Sequence, residues 1–140
     1  MTDATMTSNP SDPGATPPLV LVVEDNEKNA RMLVAMLTGA GYDAHWAADG
    51  EEGLRLADQL KPALVITDLQ MPGLDGLSMT RRLKSNAATA AIPVVALTAH
   101  AMAEHSRQSF EAGCLKFLTK PIRYQLLLSE VADALHFTTA

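Results

Sequence analysis

Three carboxylates, a hydroxyl and an ammonium stand at the ends of four apolar runs in this chain. Leu19–Val23 stops on Glu24 and Asp25, Ala63–Thr67 on Asp68, Ile92–Leu97 on Thr98, and Leu115–Thr119 on Lys120, which Pro121 follows. Paired acids with a third carboxylate nearby suit a hard divalent cation, because Mg²⁺ takes oxygen ligands at roughly 2.0–2.1 Å and keeps several waters. A lysine and a threonine hydroxyl add a positive charge and a donor for a phosphoryl oxygen. Gathered in one place, these side chains would hold a cation and handle a phosphoryl group. Each also has an ordinary structural reading: Glu24-Asp25 as a polar turn, Asp68 as a turn former ahead of Met71-Pro72-Gly73, Thr98 as a strand-end threonine, and Lys120-Pro121 as a turn.

The elements that must position them can be read from the runs themselves. They are short and rich in β-branched and aliphatic residues, and longer segments with helical spacing separate them, the pattern of buried parallel strands joined by crossover helices. Ligands of open α/β sheets bind outside the carboxyl ends of the strands, so residues ending four runs would share one crevice. Asn26 is placed to cap a helix in which Ala30, Leu33, Val34 and Leu37 fall at i, i+3, i+4 and i+7, ending at Gly39-Ala40-Gly41. A strand is expected at 43–47, and a second helix near Gly50–Leu60 that closes at Lys61-Pro62. Asp75-Gly76 opens a third helix to about Ser85. Residues from about Ala101 to Ala112 have helical composition with little apolar regularity, so this helix is expected to be the least tightly held, its surface polar through Glu104, His105, Arg107 and Gln108. The last helix sets Tyr124, Leu127, Leu128, Val131 and Leu135 on one stripe. The order is β-α five times over, an α/β protein without solenoid repeats.

Residues 1–18 hold four of the eight prolines, many small polar residues and no aromatic, and read as a disordered tail ahead of one domain over 19–140. A net charge of −5 gives no basic surface for nucleic acid. No apolar stretch approaches the roughly 18 residues of a membrane span, and no signal-peptide pattern opens the chain, so the expected location is the cytoplasm. A single cysteine, Cys114, excludes an internal disulfide and reads as a small buried hydrophobe. His45, His100, His105 and His136 lack metal-ligand spacing. Gly39–Ala44 fits G-x-G-x-x-A, but between a helix and the next strand, the wrong context for a dinucleotide. Trp46 is expected to pack beside the second strand.

Taken together, the stretches VVEDN, ITDLQMPGLDG, VVALTAHA and KFLTKP resemble the response-regulator receiver domains of two-component signalling, in identity, order and separation, over about residues 19–136. The resemblance implies a doubly wound, flavodoxin-like sheet of five parallel strands in the order 2-1-3-4-5 with five helices. It implies that Asp68 accepts a phosphoryl group from a histidine of a sensor kinase or phosphotransfer protein, and that Mg²⁺ sits on Asp25, Asp68 and the carbonyl of Gln70, with Glu24 acting mainly through water. Lys120 would pair with the phosphate and Thr98 would turn its hydroxyl toward it. The peptide before Pro121 would be cis. Phe117 matches the family's aromatic switch position, without the hydroxyl of the tyrosine found in many relatives, and His100 would stand at the rim. The helix at 101–112, the last strand and the last helix would form the output surface toward a downstream protein.

The leading expectation is therefore a stand-alone phosphoacceptor that signals through protein contacts, with no nucleic acid and no membrane as partner. Its enzyme status is limited to catalysing its own phosphorylation and dephosphorylation. LTAHAM also resembles the receivers of hybrid kinases and the DivK-like single-domain regulators, as well as allowing a CheY-like role, so a receiver cut from a larger kinase is an alternative. A flavodoxin-like FMN binder would need a Ser/Thr/Gly phosphate loop where Glu24-Asp25-Asn26 stands. Asp68-Leu69-Gln70 lacks the second aspartate of the DxD phosphatase signature. A receiver-shaped scaffold that is never phosphorylated normally lacks one of the acid or lysine positions, and all are present.

Overall fold

A computed structural model of the chain describes residues 16–99 and 103–139, with side chains described at 16–99 and 106–136. Most of the expected tail 1–18, together with His100 and the start of the fourth expected helix, lies outside the described residues, as do the side chains of Glu104 and His105. Ten elements alternate: β1 (Leu19–Val23), α1 (Glu27–Gly39), β2 (Asp43–Ala47), α2 (Gly50–Leu60), β3 (Leu64–Asp68), α3 (Gly76–Ser85), β4 (Val94–Thr98), α4 (Ala103–Ala112), β5 (Lys116–Thr119) and α5 (Tyr124–Thr139). The five strands are parallel in the order β2-β1-β3-β4-β5.

The runs read as continuous apolar stretches because the sheet is covered on both faces, and alternate residues enter different cores. Leu21, Val23, Val65, Val94 and Ala96 pack on one side with Ala57, Met79 and Leu83. Val20, Val22, Ile66, Val95 and Leu97 pack on the other with Leu33, Leu37, Leu127 and Val131. Met71 belongs to the first core and Tyr42 to the second.

Side-chain caps fix where three helices begin. Asn26 accepts from the N–H of Asn29 at 3.0 Å, Asp49 from Glu52 at 2.8 Å and Asp75 from Ser78 at 2.7 Å. Each cap follows closely on a strand end, so the helices leave the same edge of the sheet that carries the acids. The expected stripe of α5 needs correction at one residue: Leu127 and Val131 are fully buried, but Tyr124 is 47% exposed and Ala134 completes the buried face instead. Helical side chains lean toward the N-terminus, so a residue that opens the helix leans past its start and away from the sheet. Among the described residues, no helix is long and apolar enough to cross a membrane.

Candidate functional site

Glu24 and Asp25 follow β1 directly, and Asp68 is the last residue of β3, the strand beside it in the sheet. One carboxylate oxygen from each of the three lies within 4.8 Å of the others. Lys120 enters from the far side of the sheet, just after β5, and its Nζ donates to Asp68 Oδ2 at 3.2 Å and to Glu24 Oε1 at 3.2 Å. The backbone N–H of Lys120 donates to the Thr98 carbonyl at 2.7 Å, and the Lys120–Pro121 peptide is cis. Thr98 is fully buried at the end of β4, one register step beyond Leu97, the partner of Asp68. Phe117 pairs with Ala96 across β4 and β5 and packs against the core on the α3 side of the sheet.

The acids differ in exposure. Glu24 is 1% exposed and Asp68 8%, whereas Asp25 is open to solvent. Burial pushes the Glu24 carboxyl above its ordinary range; the N–H of Asn26, which donates to Oε2 at 3.2 Å, and the Lys120 charge work against that rise, and the Asp68 charge adds to it. Burial also acts against the Lys120 ammonium, but Asp68 and Glu24 outweigh it, and its pKa stands above the ordinary lysine value. The lysine is thus a fixed cation held between two buried anions.

Local backbone contacts set where Asp68 points. The Gln70 N–H donates to Asp68 Oδ1 at 3.3 Å, the Thr67 hydroxyl donates to the Asp68 carbonyl at 2.9 Å, and the Leu69 N–H reaches the Leu97 carbonyl at 3.0 Å. Gly76, opening α3, lies so close that a Cβ there would stand 2.3 Å from the Asp68 carbonyl oxygen. Neither Thr67 nor Gly76 was expected at the site, Gly76 being read only as part of the opening of α3. The only signal for Thr67 was a lone hydroxyl inside an apolar run, and for Gly76 a glycine one residue past a capping aspartate. Trp46, expected only to pack, donates its indole N–H to the Glu24 carbonyl at 2.8 Å.

Residues 20–132 match the response regulator receiver domain family. The chain belongs to that family. This receiver is 39% identical over 118 residues to the response regulator PleD of Caulobacter vibrioides, a match covering 84% of the chain but 26% of PleD, so the chain spans about a quarter of that relative. It is 36% identical over 106 residues to the polar-differentiation response regulator DivK of Brucella anthropi, covering 76% of the chain and 86% of DivK. Among solved structures, a response regulator from Chloroflexus aurantiacus superposes with a TM-score of 0.83 at 35% identity, covering 86% of this chain and 99% of that one. The receiver domain of a sensor histidine kinase from Pseudomonas aeruginosa, described with a magnesium ion coordinated in its active-site cleft, gives 0.81 at 30% identity, covering 86% and 99%. Receivers work in two-component signalling, bind Mg²⁺ in their active site and interact with histidine kinases and downstream targets. The acidic cluster of this receiver fits that cation: three hard carboxylate oxygens converge, and the one most open to solvent, Asp25, leaves room for coordinated water.

Proposed function

We propose that this receiver, spanning 19–140 behind an N-terminal tail and acting in the cytoplasm, takes a phosphoryl group from a phosphohistidine of a sensor kinase or phosphotransfer protein onto Asp68 and passes the signal to a downstream protein. The observation that carries this reading is the convergence of Glu24, Asp25 and Asp68, with the Lys120 ammonium paired to Glu24 and Asp68. A carboxylate oxygen of Asp68 attacks phosphorus in line, the P–N bond breaks, and the leaving imidazole keeps the electron pair. Asp25, Asp68 and the Gln70 carbonyl would hold Mg²⁺, with Glu24 reaching it through water. When bound, the cation offsets the negative charge on the transferring phosphoryl oxygens.

The chain's own residues do the rest. Gln70 N–H steadies one oxygen of Asp68, which leaves the second for attack once Lys120 transfers its contact to the incoming phosphoryl group. The acyl phosphate brings a charge of roughly −1.5 to −2, which draws the Lys120 ammonium and the Thr98 hydroxyl inward. Movement of Thr98 on β4 is passed to Phe117, the residue of β5 that pairs with Ala96, and so to the surface of α4, β5 and α5. The likeness to the polar-differentiation response regulator DivK, 36% identical over 106 residues, supports a response regulator as the first reading. The likeness to a sensor kinase receiver, at a TM-score of 0.81, keeps a receiver module within a larger kinase as the second reading. An FMN binder is disfavoured by the acids of Glu24-Asp25, which stand where a flavin phosphate would need donors.

The test is incubation with Mg²⁺ and a small phosphodonor, read by mass, with beryllofluoride followed by amide resonances. A one-phosphate mass gain is expected in the wild type and none in Asp68→Asn, with beryllofluoride shifts running from Thr98 into α4. Mass gain that persists in Asp68→Asn overturns the assignment.

A further inference from the structure

Trp46 stands outside the set of acids, threonine and lysine, yet it holds the turn that carries two of the acids. Both backbone polar groups of Glu24 are tied to the edge strand β2: its N–H donates to the Ala47 carbonyl at 3.0 Å, and its carbonyl accepts the Trp46 indole N–H at 2.8 Å. The first is an ordinary continuation of the parallel ladder. The second is not. Trp46 pairs in register with Val22, so its side chain must reach two residues forward, roughly 6–7 Å along the strand direction, to meet Glu24. Few side chains with an N–H donor span that distance while remaining rigid, and indole does so with only two side-chain torsions.

The carbonyl it holds belongs to the peptide that joins Glu24 to Asp25, so fixing it fixes the plane from which Asp25 leaves the chain. Glu24 is also held at its side chain, by Asn26 N–H on Oε2 and Lys120 on Oε1. Asp25 is exposed and follows the peptide. From this geometry we propose that Trp46 is a positioning residue for the cation site, clamping the Glu24–Asp25 peptide so that the Asp25 carboxylate is set in place before Mg²⁺ binds. The proposal rests on the reading of Glu24, Asp25 and Asp68 as a Mg²⁺ site.

Because the chain has a single tryptophan, biosynthetic replacement by benzothienylalanine changes only position 46, putting sulfur where the indole N–H stands and keeping the bicyclic shape. Trp46→Phe is the genetic counterpart. Mg²⁺ alone is titrated and the Asp25 and Asn26 amide resonances followed. The dissociation constant is expected to rise roughly two- to tenfold in both proteins, the ratio that a hydrogen bond of ordinary net worth produces. In the wild type, the Trp46 indole N–H resonance is expected to move along the same saturation curve as the Asp25 amide. Unchanged Mg²⁺ affinity in the sulfur analogue, whatever happens to its thermal midpoint, makes Trp46 a merely structural strap and overturns the proposal. So does an indole resonance that stays still while the Asp25 amide moves. A wild type with no Mg²⁺ response at all is a separate outcome, which removes the cation reading and this inference with it.

Discussion

Lys120 holds the buried acids together when no cation is present. Its side chain is 25% exposed, while Glu24 and Asp68 are almost enclosed, so removing it leaves two carboxylates facing each other with little solvent to screen them. Losing one partner of a fully buried pair costs about 3–5 kcal/mol; with the lysine partly open, a loss of about 1–3 kcal/mol is expected for Lys120→Met in urea denaturation with a chelator present. Adding Mg²⁺ is expected to restore part of that loss, because a cation on the same acids supplies the missing positive charge. If Mg²⁺ stabilises the variant less than the wild type, the ammonium and the cation are not counter-charges for the same site. The identity of these residues was legible in the sequence because each ends an apolar run. The bridging of Lys120 to Glu24, 96 residues away, was not, since only the fold sets that distance.

At the level of elements, the strand ends are precise because close packing behind them leaves no slack. A Cβ on Gly76 would meet the Asp68 carbonyl oxygen at 2.3 Å and Leu69 Cα at 2.9 Å, and both are backbone. Gly76→Ala must therefore push β3's end away from α3, at a cost of about 1–3 kcal/mol. The displaced atom is on Asp68 itself, so Mg²⁺ affinity is expected to fall as well. Gly50, at the start of α2, presses in the same way on the Leu74 carbonyl at 2.3 Å, well along the loop from Asp68. Gly50→Ala is expected to lose similar stability and keep most of its Mg²⁺ affinity, and equal loss of affinity in both would discredit the claim that Gly76 acts through Asp68. Boundaries of most elements were readable from caps and breakers: Asn26, Asp75 and Lys61-Pro62 each mark a real end. The run at Ile92 and Pro93 overshot the strand, which begins at Val94, because apolar composition does not report where ladder pairing starts. α4 gave little apolar pattern because its buried face includes small residues, Ser109 and Ala112, that periodicity reads as neutral.

Across the whole molecule, the two ends of the sheet do different work. The carboxyl ends of the strands carry buried like charges, while at the opposite end Lys84 ties three segments together: it leaves α3, donates to the carbonyls of Ala90 and Ile92 ahead of β4, and lies against Gly113 ahead of β5. Burial lowers the Lys84 pKa below its ordinary 10.5, with the nearby Cys114 acting in the other direction. A lysine whose pKa is lowered by folding binds fewer protons in the native state than in the unfolded one, so its contribution to stability rises with pH from the lowered value up to 10.5. Cys114 opposes this, because burial raises its thiol above 9.0 and the unfolded chain ionises first. Measured in a Cys114→Ala background, the protein with Lys84 is expected to gain stability relative to Lys84→Met as pH is raised from neutral toward 10.5. Near neutral pH the two are expected to lie within about 1 kcal/mol, since two lost hydrogen bonds are offset by relief of a buried charge. Mg²⁺ affinity is expected to be the same in both, because the hydrogen bonds of Lys84 to Ala90 and Ile92 lie at the end of the sheet opposite the acids. A stability difference that stays flat with pH would mean that the ammonium is solvated as well in the fold as outside it.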